Sequence, residues 1–243
     1  NSFTSIGRAV MWGRSLYRSI ERFILCEMIV NVVACLVVVF GAFLGEQPPL
    51  TVTQMLWVNL IMDTFAAMAL ASLPPNERFM QSKPRNRKDF IITKPMGIMI
   101  ASIGVLFFAF LMTLLYVFKN YDIKAFADIF LFGEYRGGIG ISPKEGSMFF
   151  TVFVMLQFWN MFNAKAYMSG RSAFHFKNCG SFLLIAAIIL AGQVAIVTFG
   201  GKMFSVTPLS VADWVVMIAL TSLVMILGEL ARFANNHCIK AKA

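Results

Sequence analysis

Six long apolar runs divide the chain, at residues 23–44, 55–73, 96–118, 147–166, 182–199 and 211–234. Each is close to the roughly 20 residues that an α-helix needs to cross the hydrocarbon core of a bilayer. Six such runs in 243 residues leave too few polar positions to cover them in water, which argues against a soluble helical bundle. The pattern predicts an all-α membrane protein, a bundle of six transmembrane helices, with a lead-in over residues 1–22 and a short tail over residues 235–243. Turn-forming residues punctuate the runs. Gly45, Pro48 and Pro49 stop the first helix and predict a tight hairpin into the second. Pro74 and Pro75 end the second run, and Lys94-Pro95 precedes the third. The 28 residues 119–146, with Gly137, Gly138 and Gly140, predict an irregular external loop without chemistry of its own. No internal repeat is visible, so the inverted-repeat architecture of secondary transporters is not supported.

Basic residues assign the two sides of the membrane, because Lys and Arg accumulate in short cytoplasmic loops. Arg8, Arg14, Arg18 and Arg22 precede the first run; Arg78, Lys83, Arg85, Arg87, Lys88 and Lys94 join the second to the third. With Lys165, Arg171, Lys177, Arg232, Lys240 and Lys242, sixteen of the 21 basic residues fall on one side. Lys119, Lys124, Arg136, Lys144 and Lys202 fall on the other, where Asp122, Asp128, Glu134 and Glu145 offset them. Both termini are therefore expected on the cytoplasmic side, with the second-to-third loop as a positive-inside anchor near anionic lipid.

Composition agrees with a chain whose main solvent is lipid: 58% of residues are hydrophobic and 14% charged. The net charge of +9 resides in loops rather than on a solvated domain, so no nucleic-acid partner is expected. Cys26, Cys35, Cys179 and Cys238 show no paired metal-ligand spacing and are expected to be free thiols. The first residues are polar and Arg-bearing, unlike a cleavable signal peptide. No glycine-lysine loop or dinucleotide fingerprint occurs, so these residues are not expected to hydrolyse ATP on their own.

Ionisable and amide side chains inside the runs carry the candidate chemistry, since a carboxylate in hydrocarbon costs several kcal/mol unless paired, hydrated or bound to a cation. Asp63 lies in MLWVNLIMDTFAAMAL, with Asn59 four residues earlier. On an α-helix that spacing puts an amide oxygen and a carboxylate on one face, and oxygen ligands suit a hard cation. Two oxygens do not complete a six- to eight-coordinate site, so other helices or unwound carbonyls must contribute. The competing reading has both side chains bonding neighbouring helices. Asn31 lies centrally in the first run, where it could add an oxygen, with Glu27 one turn toward the interface in a structural or access-path role. Gln157, Asn160 and Asn163 recur every three residues, a stripe that favours helix-to-helix bonding over an ion path. Glu229 is expected to reach the interface beside Arg232, and His175 and His237 lie at membrane edges.

MLWVNLIMDTFAAMALASLPP resembles P-type calcium ATPases of the plasma-membrane kind, and so do FTSIGRAVMWGRSLYRSIERF, VNVVA, FVMLQFWNMFNAKA and VTFGGKMFSVTPLS. The resemblance covers essentially the whole chain. It implies that the six helices are the fifth to tenth of ten in a translocase, with residues 1–22 leading in from a phosphorylation domain that lies outside these residues. It implies calcium as the transported ion, with ATP and magnesium acting only through absent cytoplasmic domains, and a cell (plasma) membrane location. The implied partners are the lipid bilayer and the missing N-terminal half of the pump.

By the same resemblance Asn59 and Asp63 match the sixth-helix metal ligands, with Asn31 and Gln157 as further candidates. No catalytic residue is implied within the chain. Reticulum-type pumps carry a glutamate where this sequence has Ala34, a threonine at Met62 and a glutamate at Gln157. These departures imply one calcium per cycle. The ending at Ala243 is expected to leave no long calmodulin-binding tail. Two readings compete with a calcium export pump: a P-type pump for sodium, potassium or manganese, and a non-enzymatic membrane module.

Overall fold

A computed structural model describes residues 2–43, 49–75, 77–81, 90–131, 133–138 and 140–240, with side chains for all of these except residues 2, 77, 78 and 234–240. Gly45, Pro48, residues 83–88 and the last three residues lie outside the described set. The chain is helical: α1 (Ser2–Phe43), α2 (Val52–Leu56), a π-helical segment (Trp57–Met62), α3 (Asp63–Ala71), α4 (Lys94–Asn120), α5 (Pro143–Ala166), α6 (Gly180–Phe199), α7 (Gly201–Phe204) and α8 (Val211–Lys240). Short 3₁₀ turns occupy Glu77–Met80 and Phe126–Leu131.

Five helices among the described residues are long and apolar enough to cross a membrane: α1, the continuous rod from α2 through α3, α4, α6 and α8. The fourth expected span, α5, is long enough at 24 residues but too polar. Its surroundings give the reason. Twenty of its 24 residues are buried, and it packs against α1, α3, α4, α6 and α8. A helix surrounded by protein need not be apolar on every face. Ser147, Thr151, Gln157, Asn160, Asn163 and Lys165 are all buried on it.

Helix ends fall where capping chemistry dictates. Thr51 starts α2 and Ser142 starts α5, each through a reciprocal capping box, with Gln54 and Glu145 at the third position. Pro95 sits inside the first turn of α4, where its missing N–H costs nothing, so this helix begins at Lys94 rather than after the proline. The larger difference from the apolar pattern is α1, which continues upstream from Phe23 to Ser2. Its 42 residues make a rod of about 63 Å, twice the hydrocarbon thickness.

Loops gather at two ends of the bundle. At one, Arg14 donates to the Phe79 carbonyl (2.9 Å) and Arg22 to that of Tyr167 (3.0 Å), tying α1 to two connections. Arg18 and Arg22 also lie over the Phe79 ring. Glu229 on α8 accepts from the Ser172 hydroxyl (2.6 Å) and pairs with Arg232 (2.9 Å), as its position near the span end leads one to expect. Cys26 and Cys179 are buried free thiols and Cys35 an exposed one.

The opposite end holds the described residues between 121 and 142, which make more contacts than the glycines there predict. Tyr121 bridges Tyr135, and Arg136 reaches the carbonyls of Phe118 (2.8 Å) and Gly140 (3.1 Å) and the Glu145 carboxylate (2.8 Å). Glu145 is fully buried and also accepts the Ile123 and Ser142 N–H groups. Asp213, buried at the start of α8, accepts the Phe126 N–H at 2.8 Å and pairs with Lys144 at 3.4 Å. Two buried carboxylates thus bind the loop to α5 and α8. Removing one partner of a buried pair strands the other charge. Arg136→Met is expected to lower the unfolding free energy of the protein by ~3 kcal/mol, read as a lower melting temperature in detergent. An unchanged melting temperature would remove the pair from this role.

Candidate functional site

The rod carrying Asn59 and Asp63 is not a plain α-helix. After one capped turn, Trp57–Met62 adopts the wider π form, and the Asp63 N–H donates to the Val58 carbonyl. In an α-helix its acceptor would be the Asn59 carbonyl, which the π segment relieves of that bond. The Thr64 hydroxyl takes the Leu60 carbonyl at 2.5 Å. Widened turns of this kind concentrate at functional sites because they redirect side chains and free main-chain oxygens. The apolar pattern of these residues does not single it out.

Asp63 is 8% exposed, and among the described residues its carboxylate takes part in no hydrogen bond or ion pair. Glu145, buried more deeply still, holds an arginine and two backbone donors. A largely buried carboxylate without such partners is costly to hold in hydrocarbon. Glu27 and the Cys26 thiol of α1 lie within its electrostatic reach. Glu27 thus belongs to the surroundings of Asp63.

The other candidates divide. Asn31 is half-buried on α1 and Asn59 is exposed, so Asn59 and Asp63 share a helix but not a degree of burial. The α5 stripe separates into three behaviours. Asn163 bonds neighbours, donating to the Val224 carbonyl (2.9 Å) and accepting from Arg232 (3.1 Å). Gly228 makes room for this, since a Cβ there would collide with the Asn163 amide. Asn160 approaches the Cys26 sulfur at 3.8 Å, which turns it toward α1. Gln157 is 0% exposed, and neither amide atom meets a protein partner among the described residues.

No group of three or more His, Cys, Asp or Glu side chains with metal-binding potential occurs among the described residues. A cation at Asp63 would therefore draw most of its ligands from amide and carbonyl oxygens, the donor set of a hard ion. A cleft of about 730 Å³, lined by Thr51, Ser142 and Thr207 among others, includes none of these candidates.

The family described as "Cation transporting ATPase, C-terminus" matches residues 47–234. The chain is 39% identical over 234 residues to "Plasma membrane calcium-transporting ATPase 2" of Oreochromis mossambicus, covering 95% of this chain and 20% of that protein. It is 40% identical over 218 residues to "Plasma membrane calcium-transporting ATPase 3" of Homo sapiens, covering 88% and 17%. To "Plasma membrane calcium-transporting ATPase 1" of Gallus gallus it is 36% identical over 235 residues, covering 95% and 19%. The chain thus spans about one fifth of the length of the curated relatives it matches.

The division of the α5 stripe is testable by contrast. Asn163→Leu removes the bonds to Arg232 and to the Val224 carbonyl and is expected to cost ~1–3 kcal/mol, seen as a lower melting temperature of the full-length parent. Gln157→Leu removes an amide without protein partners and is expected to leave that temperature unchanged or higher. Equal losses from the two substitutions would contradict the division.

Proposed function

We propose, because the chain belongs to the cation transporting ATPase C-terminus family, that it is the membrane part of an ATP-driven calcium export pump, with Asp63 and Asn59 among the cation ligands. The observation that carries this reading is the isolation of Asp63: a buried carboxylate with no protein partner among the described residues, one residue after a π segment that relieves a carbonyl. A divalent cation supplies the missing counter-charge. The similarity to plasma-membrane calcium-transporting ATPases supports calcium and a plasma-membrane location.

In this reading Asp63 provides the charge that attracts the ion and the π turn provides oxygens. Exposed Asn59 faces helices contributed by the rest of a longer pump. Glu27 lines the approach from the α1 side. ATP and magnesium act in segments outside this chain, and α1 carries their movement to the site because it continues without interruption from Ser2 to Phe43. Ala34, Met62 and Gln157 offer no carboxylate for a second site, which supports one calcium per cycle.

We place both termini in the cytoplasm and add α5, fourth in chain order, to bring the spans to six, on the bias of basic residues and the burial of α5. An N-glycosylation acceptor introduced between residues 133 and 138 is then expected to be modified in the secretory pathway, and one between 171 and 178 is not. Modification of the second, or of both, would overturn this topology.

ATP-driven calcium uptake into inside-out vesicles carrying the full-length parent tests the function. Asp63→Asn is expected to abolish uptake while the protein still inserts, and Asn59→Ala to weaken calcium affinity about tenfold or more. Uptake that survives Asp63→Asn would sink the ligand assignment. An intact parent that phosphorylates without transporting calcium would favour another cation, and a calcium-to-phosphoenzyme ratio of two would overturn the single site.

A further inference from the structure

α6 contributes no residue to the cation chemistry described above, yet it carries a fully buried amide. Gln193 is 0% exposed, and its Oε1 accepts from the Trp57 indole Nε1 at 3.0 Å. Its Nε2 meets no partner among the described residues. Trp57 is the first residue of the π segment. Beside Gln193, Gly192 makes room for the six-membered ring of the same indole, for a Cβ there would lie 2.9 Å from Trp57 Cη2. One turn earlier the Gln54 amide donates to the Phe204 carbonyl of α7 at 2.9 Å. The rod that carries Asn59 and Asp63 is therefore gripped from the α6–α7 side at two levels, the inner one at the residue where the helix widens.

We propose that Gln193, acting through the Trp57 indole seated against Gly192, is a positioning residue for the cation ligands Asn59 and Asp63. The proposal rests on the reading of the chain as a calcium pump. Its physical basis is that a π segment has looser packing and poorer hydrogen-bond geometry than an α-helix, so its winding needs an external reference. A bond to an indole supplies one, because Trp57 cannot rotate about the helix axis without breaking it. Ordinary bonding between membrane helices would stabilise the bundle without setting the ion affinity. The indole is placed differently: it orients the segment that aims the ligands, two residues before Asn59. Outer partners that orient ligands typically change metal affinity by ~10–100-fold when removed.

The experiment uses the full-length parent and two readouts. The calcium concentration for half-maximal phosphorylation by ATP reports the site, and phosphorylation by inorganic phosphate without calcium reports the amount of folded enzyme. Gln193→Leu and Trp57→Phe are each expected to raise the half-maximal calcium concentration about tenfold, with phosphorylation by inorganic phosphate at the parent level. The double variant is expected to lose no more than either single one, since both remove the same bond. Gln193→Glu keeps an acceptor oxygen and is expected to restore affinity close to the parent's. Gly192→Ala leaves both polar groups intact and displaces the ring, so it is expected to raise the same calcium concentration and decides the matter if Gln193→Leu does not fold. Unchanged calcium affinity in Gln193→Leu, additive losses in the double variant, or losses confined to the inorganic-phosphate readout would overturn the positioning role. A parent whose phosphorylation ignores calcium would instead overturn the pump reading, and the proposal with it.

Discussion

Hydrocarbon offers no hydrogen bonds, and a polar group placed in it must find its partner within the protein. Most of this architecture follows from that constraint. It explains why the most polar long helix, α5, is surrounded by five other helical elements, while the apolar α4, α6 and α8 keep outward faces rich in exposed Leu, Ile and Val. It explains why most buried charges among the described residues are held by protein partners. Glu145 holds Arg136 and two backbone donors, Asp213 holds Phe126 and Ser210, and Lys165 donates to the His175 carbonyl with the Phe176 ring 4.5 Å away. Against that background Asp63 stands apart among the buried charges, and with the Gln157 amide it is left without a protein partner among the described residues.

Much of this was legible in the amino-acid order because bilayer thickness and turn chemistry are local constraints. Five of the apolar runs coincide with helices able to cross a membrane, and Pro74 and Pro75 lie just past the end of α3. Features that depend on neighbours were less legible. The upstream half of α1 carries arginines and little continuous apolar sequence, so nothing in its hydropathy announces that the helix runs on from Ser2. The 121–142 connection reads as irregular from its glycines, whereas Arg136 organises it through contacts with Phe118 and Glu145, distant or opposed in the linear pattern.

The candidate site shows the same division. Asp63 stands out in sequence because a carboxylate in an apolar run is costly wherever the run packs. The stripe of Gln157, Asn160 and Asn163 has one spacing and one chemistry, but three fates decided by what faces each residue: nothing polar, a thiol, or a carbonyl with an arginine. The widened turn at Trp57–Met62 left no trace in the hydrophobic period. Trp57 and Gln193 are 136 residues apart, and only the packing of α6 against the rod brings them together.

The polarity of α5 also bears on how the protein is made. A helix with six buried polar side chains beyond its capping residues gains little from entering lipid alone, since asparagine, glutamine and lysine all oppose release from the insertion machinery into the bilayer. Its natural partners arrive on both sides of it in the order of synthesis: α1 and α4 before, α6 and α8 after. Lasting burial of α5 therefore waits for α8, whose Thr221 bonds Trp159 and whose Val224 carbonyl holds Asn163. Of the helices in these residues α8 is made last, and it closes the bundle around its most polar member, so a truncation within α8 takes from α5 its main packing partner rather than merely shortening the protein.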